Sequence, residues 1–369
     1  MLHPAAVPYV LCFATSAIAV WLITPLIRYL GLKAGLVDKP NERKMHHIPT
    51  VRVGGVAIFL GSVIALLLIW GGGWFGYLPP PKEYEIWGVT IGGAVFFLIG
   101  FADDLFSLPA IPRLIAQLVA SALAWRVGVG IDFISIPFIG IVKFEGYISL
   151  PLTMLWLSGM ANAINWMDGL DGLAAGVTTI AAAIILVTSL FMNQSAAALV
   201  AAALAGACLG FLRYNFKPNS PAEIFMGDGG AYYLGFTLAG VSIIGVAKGV
   251  TTIAVFLPYI ILAVPILDGT SVILQRWRKG IPLTSPGKIH LHHRLVKAGV
   301  SKRLTVLFIY ALTLFAGSWA MAFSGMPGGG TYAGLSTLLM IYACWQVVWE
   351  IRRCRQSQIK KPPNQKDAG

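Results

Sequence analysis

Residues 158–173 read SGMANAINWMDGLDGL, with Asn162, Asn165, Asp168 and Asp171 recurring every third position and Gly169 and Gly172 between them. At 100° per residue, groups three apart stay near one face of a helix. Asn162 and Asn165 are therefore expected to share a face, while the glycines break the helix and turn the two aspartates toward one point. Two carboxylates and two amides at the end of an apolar run, with no lysine or arginine among them, make a seat for a cation or a polar ligand. The competing structural reading is a capping loop with its aspartates in Asx-turns.

Three further stretches carry carboxylates or cations. FADDLFSLP places Asp103 and Asp104 side by side at the end of an apolar run. Adjacent carboxylates repel, so one holds its proton more tightly unless a cation or base lies nearby. A helix C-terminus is also where the dipole disfavours anions. RYNFKPNSPAEIFMGDGGAYYLGF, residues 213–236, sets Asp228 among Gly227, Gly229 and Gly230 directly before the next apolar run. A carboxylate beside free backbone amides at a helix start suits a metal–diphosphate group, with an N-cap aspartate as the alternative. Phe225 could stack on a base or simply pack in the core. DKPNERKMHHIPTVRVGG, residues 38–55, holds Arg43, Lys44 and Arg52, which could pair with phosphate oxygens, and Gly54 and Gly55, which permit close helix packing. SPGKIHLHHRLVKAG, residues 285–299, gathers His290, His292, His293 and Arg294. This spacing lacks a cysteine or glutamate partner for zinc and fits anion binding better.

The elements that must position these groups are membrane helices. Of 369 residues 57% are hydrophobic and only 11% charged, with mean hydropathy +0.76, against about 25% charged in an ordinary soluble chain. The expected fold is all-α and polytopic, with eleven apolar spans near 9–30, 51–71, 86–101, 113–127, 148–165, 172–192, 195–212, 230–247, 249–267, 304–323 and 329–350. The first reads as a retained helix, since no basic region precedes it and no small-residue cleavage site follows. Of 27 lysines and arginines, 23 fall in one alternating set of loops and four in the other. The positive-inside rule makes the first set cytoplasmic, with the N-terminus outside and the C-terminus inside. All the polar motifs fall on that side. Residues 131–150 have the β-branched, turn-punctuated look of a short external hairpin. The four cysteines, Cys12, Cys208, Cys344 and Cys354, have no metal-ligand or disulfide spacing. Residues 1–350 are expected to form one transmembrane catalytic domain, and 351–369 a basic tail able to lie on anionic lipid. No inverted repeat of the transporter kind is visible, and the acidic motifs sit at one membrane edge rather than at its middle, which speaks against a transporter or flippase.

Together NAINWMDGLDGLAAG, FMGDGG, the Asp103–Asp104 pair and HLHHR resemble the polyprenyl-phosphate N-acetylhexosamine-1-phosphate transferases, in order and over nearly the whole chain. The loop with Arg43, Lys44, His46 and Pro49 resembles the N-acetylglucosamine branch rather than the phospho-N-acetylmuramoyl-pentapeptide branch. The resemblance implies transfer of a sugar 1-phosphate from a UDP-sugar to undecaprenyl phosphate with Mg²⁺ (Mn²⁺ as a substitute) and release of UMP. The setting would be the cytoplasmic face of the plasma membrane, with membrane lipid and no nucleic acid as partner, and a homodimer as the assembly. By the same resemblance Asp228 is a magnesium ligand, and Asp103 and Asp104 act at the acceptor phosphate. Asn162, Asn165, Asp168 and Asp171 hold metal and nucleotide, Asn215 and Phe225 lie near the uridine, and Lys44, Arg52, His290, His292, His293 and Arg294 bind phosphates and sugar.

Overall fold

The computed structural model describes residues 6–38, 49–78, 80–136, 140–217, 220–247, 256–280 and 290–359. Lys44, with Arg43 and His46, lies outside these residues. Helices dominate: α1 (Val7–Lys33), α2 (Gly55–Gly71), α3 (Pro80–Phe106), α4 (Ala110–Arg126), α5 (Gly146–Met167), α6 (Leu173–Phe191) and α7 (Ser195–Asn215). They continue as α8 (Gly227–Ser242), extended by a π turn (Ile243–Ala247), α9 (Phe256–Ile261), α10 (Ala263–Arg278), α11 (Leu291–Lys297), α12 (Lys302–Phe323) and α13 (Gly329–Ile359). Seven of these helices are long and apolar enough to cross a membrane, so the chain is a mostly helical, multi-pass membrane protein. Helix α2, at 17 residues, is apolar but shorter.

The expected spans correspond to these helices, with the span near 249–267 only partly within the described residues. Helix α3 begins several residues earlier and runs on to Phe106, so that Asp103 and Asp104 lie within its last turn. Helix α13 continues past residue 350. The hairpin is present as Phe133–Ile136 paired antiparallel with Gly140–Lys143, with Phe133 opposite Lys143.

Packing places α8 at the centre. Nearly every residue of α8 is buried, and it lies against α3, α5 and α2; α7 is similarly enclosed by α1 and α6. Small residues make this possible. A Cβ on Gly55 would collide with the backbone of Gly230, and one on Gly100 with the backbone of Asp228, so α2 and α3 touch the start of α8 main chain to main chain. In contrast α1 and α13 expose most of their apolar side chains, including Leu22, Leu26, Leu338 and Trp345, as lipid-facing helices do.

Candidate active site

A backbone zipper sets the site. Val51 bridges Ile224 in parallel; the Phe225 N–H donates to the Val51 carbonyl at 2.7 Å, and the Gly54 and Gly55 N–H groups donate to Phe225 and Met226 at 2.9 and 2.7 Å. The chain then turns through Gly227, at φ +73°, where any Cβ would strike the Arg52 carbonyl and the Asp104 carboxylate. Only glycine fits this left-handed turn without strain. It delivers the first amides of α8 to Asp104, which accepts the N–H groups of Asp228 and Gly229 at 3.0 Å each and the Arg52 guanidinium at 2.9 and 3.2 Å. Asp104 thus caps a helix on which it does not lie, because a carboxylate at a positive helix start satisfies otherwise orphaned donors.

Asp103 has other partners. Its carboxylate takes the Leu108 N–H at 2.8 Å and pairs closely with Arg113 of α4, whose guanidinium lies 5.8 Å above the Tyr232 ring. Asp228 accepts the Asn165 amide at 2.7 Å. Asp168 follows the end of α5, half-buried; its backbone N–H donates to the Ile164 and Asn165 carbonyls, and its carboxylate has no hydrogen-bond or ion-pair partner among the described residues. Asp103 and Asp104 act electrostatically on Asp228, and Asp104, Asp171 and Asp228 on Asp168. Aspartates from three helix ends therefore lie within electrostatic reach of one another. Burial first, then these neighbouring carboxylates, push the Asp168 carboxyl up from its ordinary 3.8 to about 8.

The remaining predicted residues divide. Asn162 donates to Gln117 at 2.6 Å and to the Ser158 carbonyl at 2.8 Å, on the α4 side of α5. Asn215 is buried and spends its amide on the Gly172 N–H and the Ile224 carbonyl, both at 2.9 Å, while Asp171 accepts the Ala222 N–H at 2.9 Å. These two latch the 168–172 turn to the 215–224 loop. Phe225 is half-buried within the zipper. His292 is buried, with its ring against Gly169; burial and the neighbouring His293 and His290 hold it down to about 3. His293 packs on it at 4.2 Å between ring centroids, and Arg294 is exposed. Arg113, Gln117 and Asp268 also contribute here, and no motif or spacing in the sequence marks them.

Comparison with known proteins shows the family. Residues 86–246 match the family described as Glycosyl transferase family 4. The probable undecaprenyl-phosphate N-acetylglucosaminyl 1-phosphate transferase of Bacillus subtilis (strain 168) is 37% identical over 313 residues, covering 85% of this chain and 84% of the relative. The chain belongs to this family of polyprenyl-phosphate sugar-1-phosphate transferases. Two other members are similar over comparable lengths. The decaprenyl-phosphate N-acetylglucosaminephosphotransferase of Mycobacterium tuberculosis is 34% identical, covering 88% of this chain and 87% of the relative. The undecaprenyl-phosphate alpha-N-acetylglucosaminyl 1-phosphate transferase of Escherichia coli (strain K12) is 28% identical, covering 85% and 84%. The matched segment of the family profile spans α3 to α8, the helices whose ends carry the aspartates.

A divalent cation fits the charge of this pocket. Four carboxylates, Asp103, Asp104, Asp168 and Asp228, meet two guanidiniums, Arg52 and Arg113, among the described residues. No three side chains of His, Cys, Asp or Glu among those residues converge as a ready-made ligand set. Mg²⁺ is usually held by one or two carboxylates and completed by substrate phosphates and water.

Proposed function

We propose that this transferase moves N-acetylglucosamine 1-phosphate from UDP-N-acetylglucosamine to undecaprenyl phosphate and releases UMP. The observation that carries the reading is the excess of carboxylate over guanidinium at the meeting point of α3, α5 and α8. The names of the relatives supply the sugar and the class of acceptor. The bias of lysine and arginine toward one set of loops supports a cytoplasmic site at the plasma membrane, where a soluble donor meets a lipid acceptor.

In the reaction an oxygen of the acceptor phosphate bonds to the sugar-linked phosphorus of the donor, and the bond from that phosphorus to the bridging oxygen breaks, leaving UMP. Asp228 and Asp168 would hold Mg²⁺, which when bound supplies positive charge to the donor diphosphate. Asn165 fixes the Asp228 carboxylate, and Asp104 with Arg52 fixes the helix start from which it projects. Arg113 is the cation nearest Asp103 and offers its guanidinium to the incoming acceptor phosphate. Asp103, once parted from Arg113, stands ready to accept a proton from that phosphate. Catalysis of this kind rests on positioning and charge neutralisation.

The deciding experiment presents purified protein in lipid with undecaprenyl phosphate and each labelled UDP-sugar in turn, with and without EDTA. Lipid-linked product and UMP from UDP-N-acetylglucosamine, abolished by EDTA, are expected. Product from the UDP-N-acetylmuramoyl-pentapeptide donor alone would replace the proposed substrate, and turnover undiminished by EDTA would remove the metal.

A further inference from the structure

Asp268 stands apart from the aspartates of the pocket. It is buried near the start of α10, and its carboxylate makes two contacts to a single neighbouring segment. Oδ2 lies 2.9 Å from His290 Nδ1, and Oδ1 accepts the Leu291 N–H at 2.7 Å. One carboxylate thereby fixes both a ring and the first amide of α11. The His290 ring stacks on His292, 5.7 Å between centroids and 11° from parallel. His292 in turn is buried, has no hydrogen-bond partner for either ring nitrogen among the described residues, and presses its Nε2 on Gly169, where no side chain would fit. Beside Asp268, Gly269 packs on Ala163 and Trp166 of α5, the helix that ends at Asp168.

We infer that Asp268 is a positioning residue for sugar 1-phosphate transfer. It holds His290 as the Nδ1–H tautomer and seats α11 so that the histidines close over the Asp168–Gly172 turn. The inference rests on the proposed reading of that turn as part of the donor site. A carboxylate accepting from an imidazole Nδ1–H fixes ring orientation and tautomer together. Two paired imidazole contacts then reach the pocket without Asp268 touching substrate.

The test uses the full chain in lipid with UDP-N-acetylglucosamine and undecaprenyl phosphate, comparing D268N, H290A and the double variant. D268N keeps an oxygen for the Leu291 N–H but loses the charged acceptor of His290. A hydrogen bond to a charged group is stronger than one between neutral groups, so the donor KM is expected to rise about tenfold or more. The acceptor KM should stay near wild type, D268E should recover part of the loss, and D268N should cost little more once His290 is already alanine. Nitrogen-15 spectra of histidine should show His290 Nδ1-protonated in the wild type and redistributed in D268N. Additive effects of the two substitutions, equal rises in both KM values, or an unchanged His290 tautomer would overturn the inference. If D268N does not fold, H290A alone decides it: a raised donor KM with an unchanged acceptor KM supports it, and an unchanged donor KM overturns it. Failure of the wild type to use UDP-N-acetylglucosamine would sink the substrate reading, whereas the tautomer measurement reports on Asp268 without turnover.

Discussion

Among the pocket aspartates the chain distributes two jobs. Asp104 is saturated by two amides and Arg52, whereas among the described residues the Asp168 carboxylate has no hydrogen-bond partner and the Asp228 carboxylate has the Asn165 amide and its like-charged neighbours. D228N and D168N are expected to lower kcat by about two orders of magnitude or more while leaving the fold intact, since on the proposed reading each removes a carboxylate that holds Mg²⁺ against the donor diphosphate. Normal kcat in either would take that residue out of the site. The pH response follows from linkage. With Asp168 raised from 3.8 to about 8, the folded, metal-free protein holds a proton that the unfolded chain has lost across that window. Its stability therefore falls as pH rises from about 4 to about 8. His292, held down from 6.5 to about 3, has the opposite sign: the unfolded chain binds the extra proton, so stability rises with pH from about 3 to 6.5. Thermal unfolding against pH in detergent should lose the first slope in D168N and the second in H292N. On the proposed reading, in which Mg²⁺ binds the ionised Asp168, its affinity should strengthen with pH up to about 8, and binding at pH 7 should release protons detectable by calorimetry in buffers of different ionisation enthalpy.

The site is built from helix ends, and the ends are held by main-chain contact. Gly55 of α2 meets Gly230 of α8 at distances that admit no Cβ, and Gly100 of α3 does the same at Asp228. G55A and G230A should each cost about 1–3 kcal/mol, the usual penalty of overpacking, and should lower activity further by tilting Asp228 away from Asn165. Unfolding temperature and kcat measured on the same preparation check both parts. These ends were legible in the sequence because glycine and aspartate interrupt long apolar runs at 168–172 and 227–230, and few other forces explain such interruptions. What the sequence hid depends on the chain folding back. The Asn215 amide is committed to Gly172 and Ile224, a latch that exists only once two loops meet. The zipper from Val51 to Gly55 is made by backbone, so no side chain announces it. Arg113 matters because α4 brings it to Asp103, and spacing along the chain gives no hint of that pairing.

At the scale of the molecule, hydropathy locates helices well and counts crossings less well. Helices α2 and α4 have 17 residues each, and α8 reaches 21 only with its π turn, so each is near the length at which tilt or local thinning of the bilayer decides whether it spans. Orientation is a separate matter and rests on charge. The described element ends that carry a pocket residue face the same way: the ends of α3 and α5, the starts of α2, α4 and α8, and the start of α11. The paired strands Phe133–Ile136 and Gly140–Lys143 and the Glu145 turn lie at the opposite end of α5. A positive-inside chain must then show Glu145 to the outside and Lys297 to the cytoplasm. Both side chains are exposed. With Cys344 and Cys354 replaced by serine, and Cys12 and Cys208 left because they are buried, E145C should react with a membrane-impermeant thiol reagent in intact cells. K297C should react only after permeabilisation. The reverse pattern would put the aspartates on the face away from the UDP-sugar pool, and a cytoplasmic nucleotide donor could then not reach them.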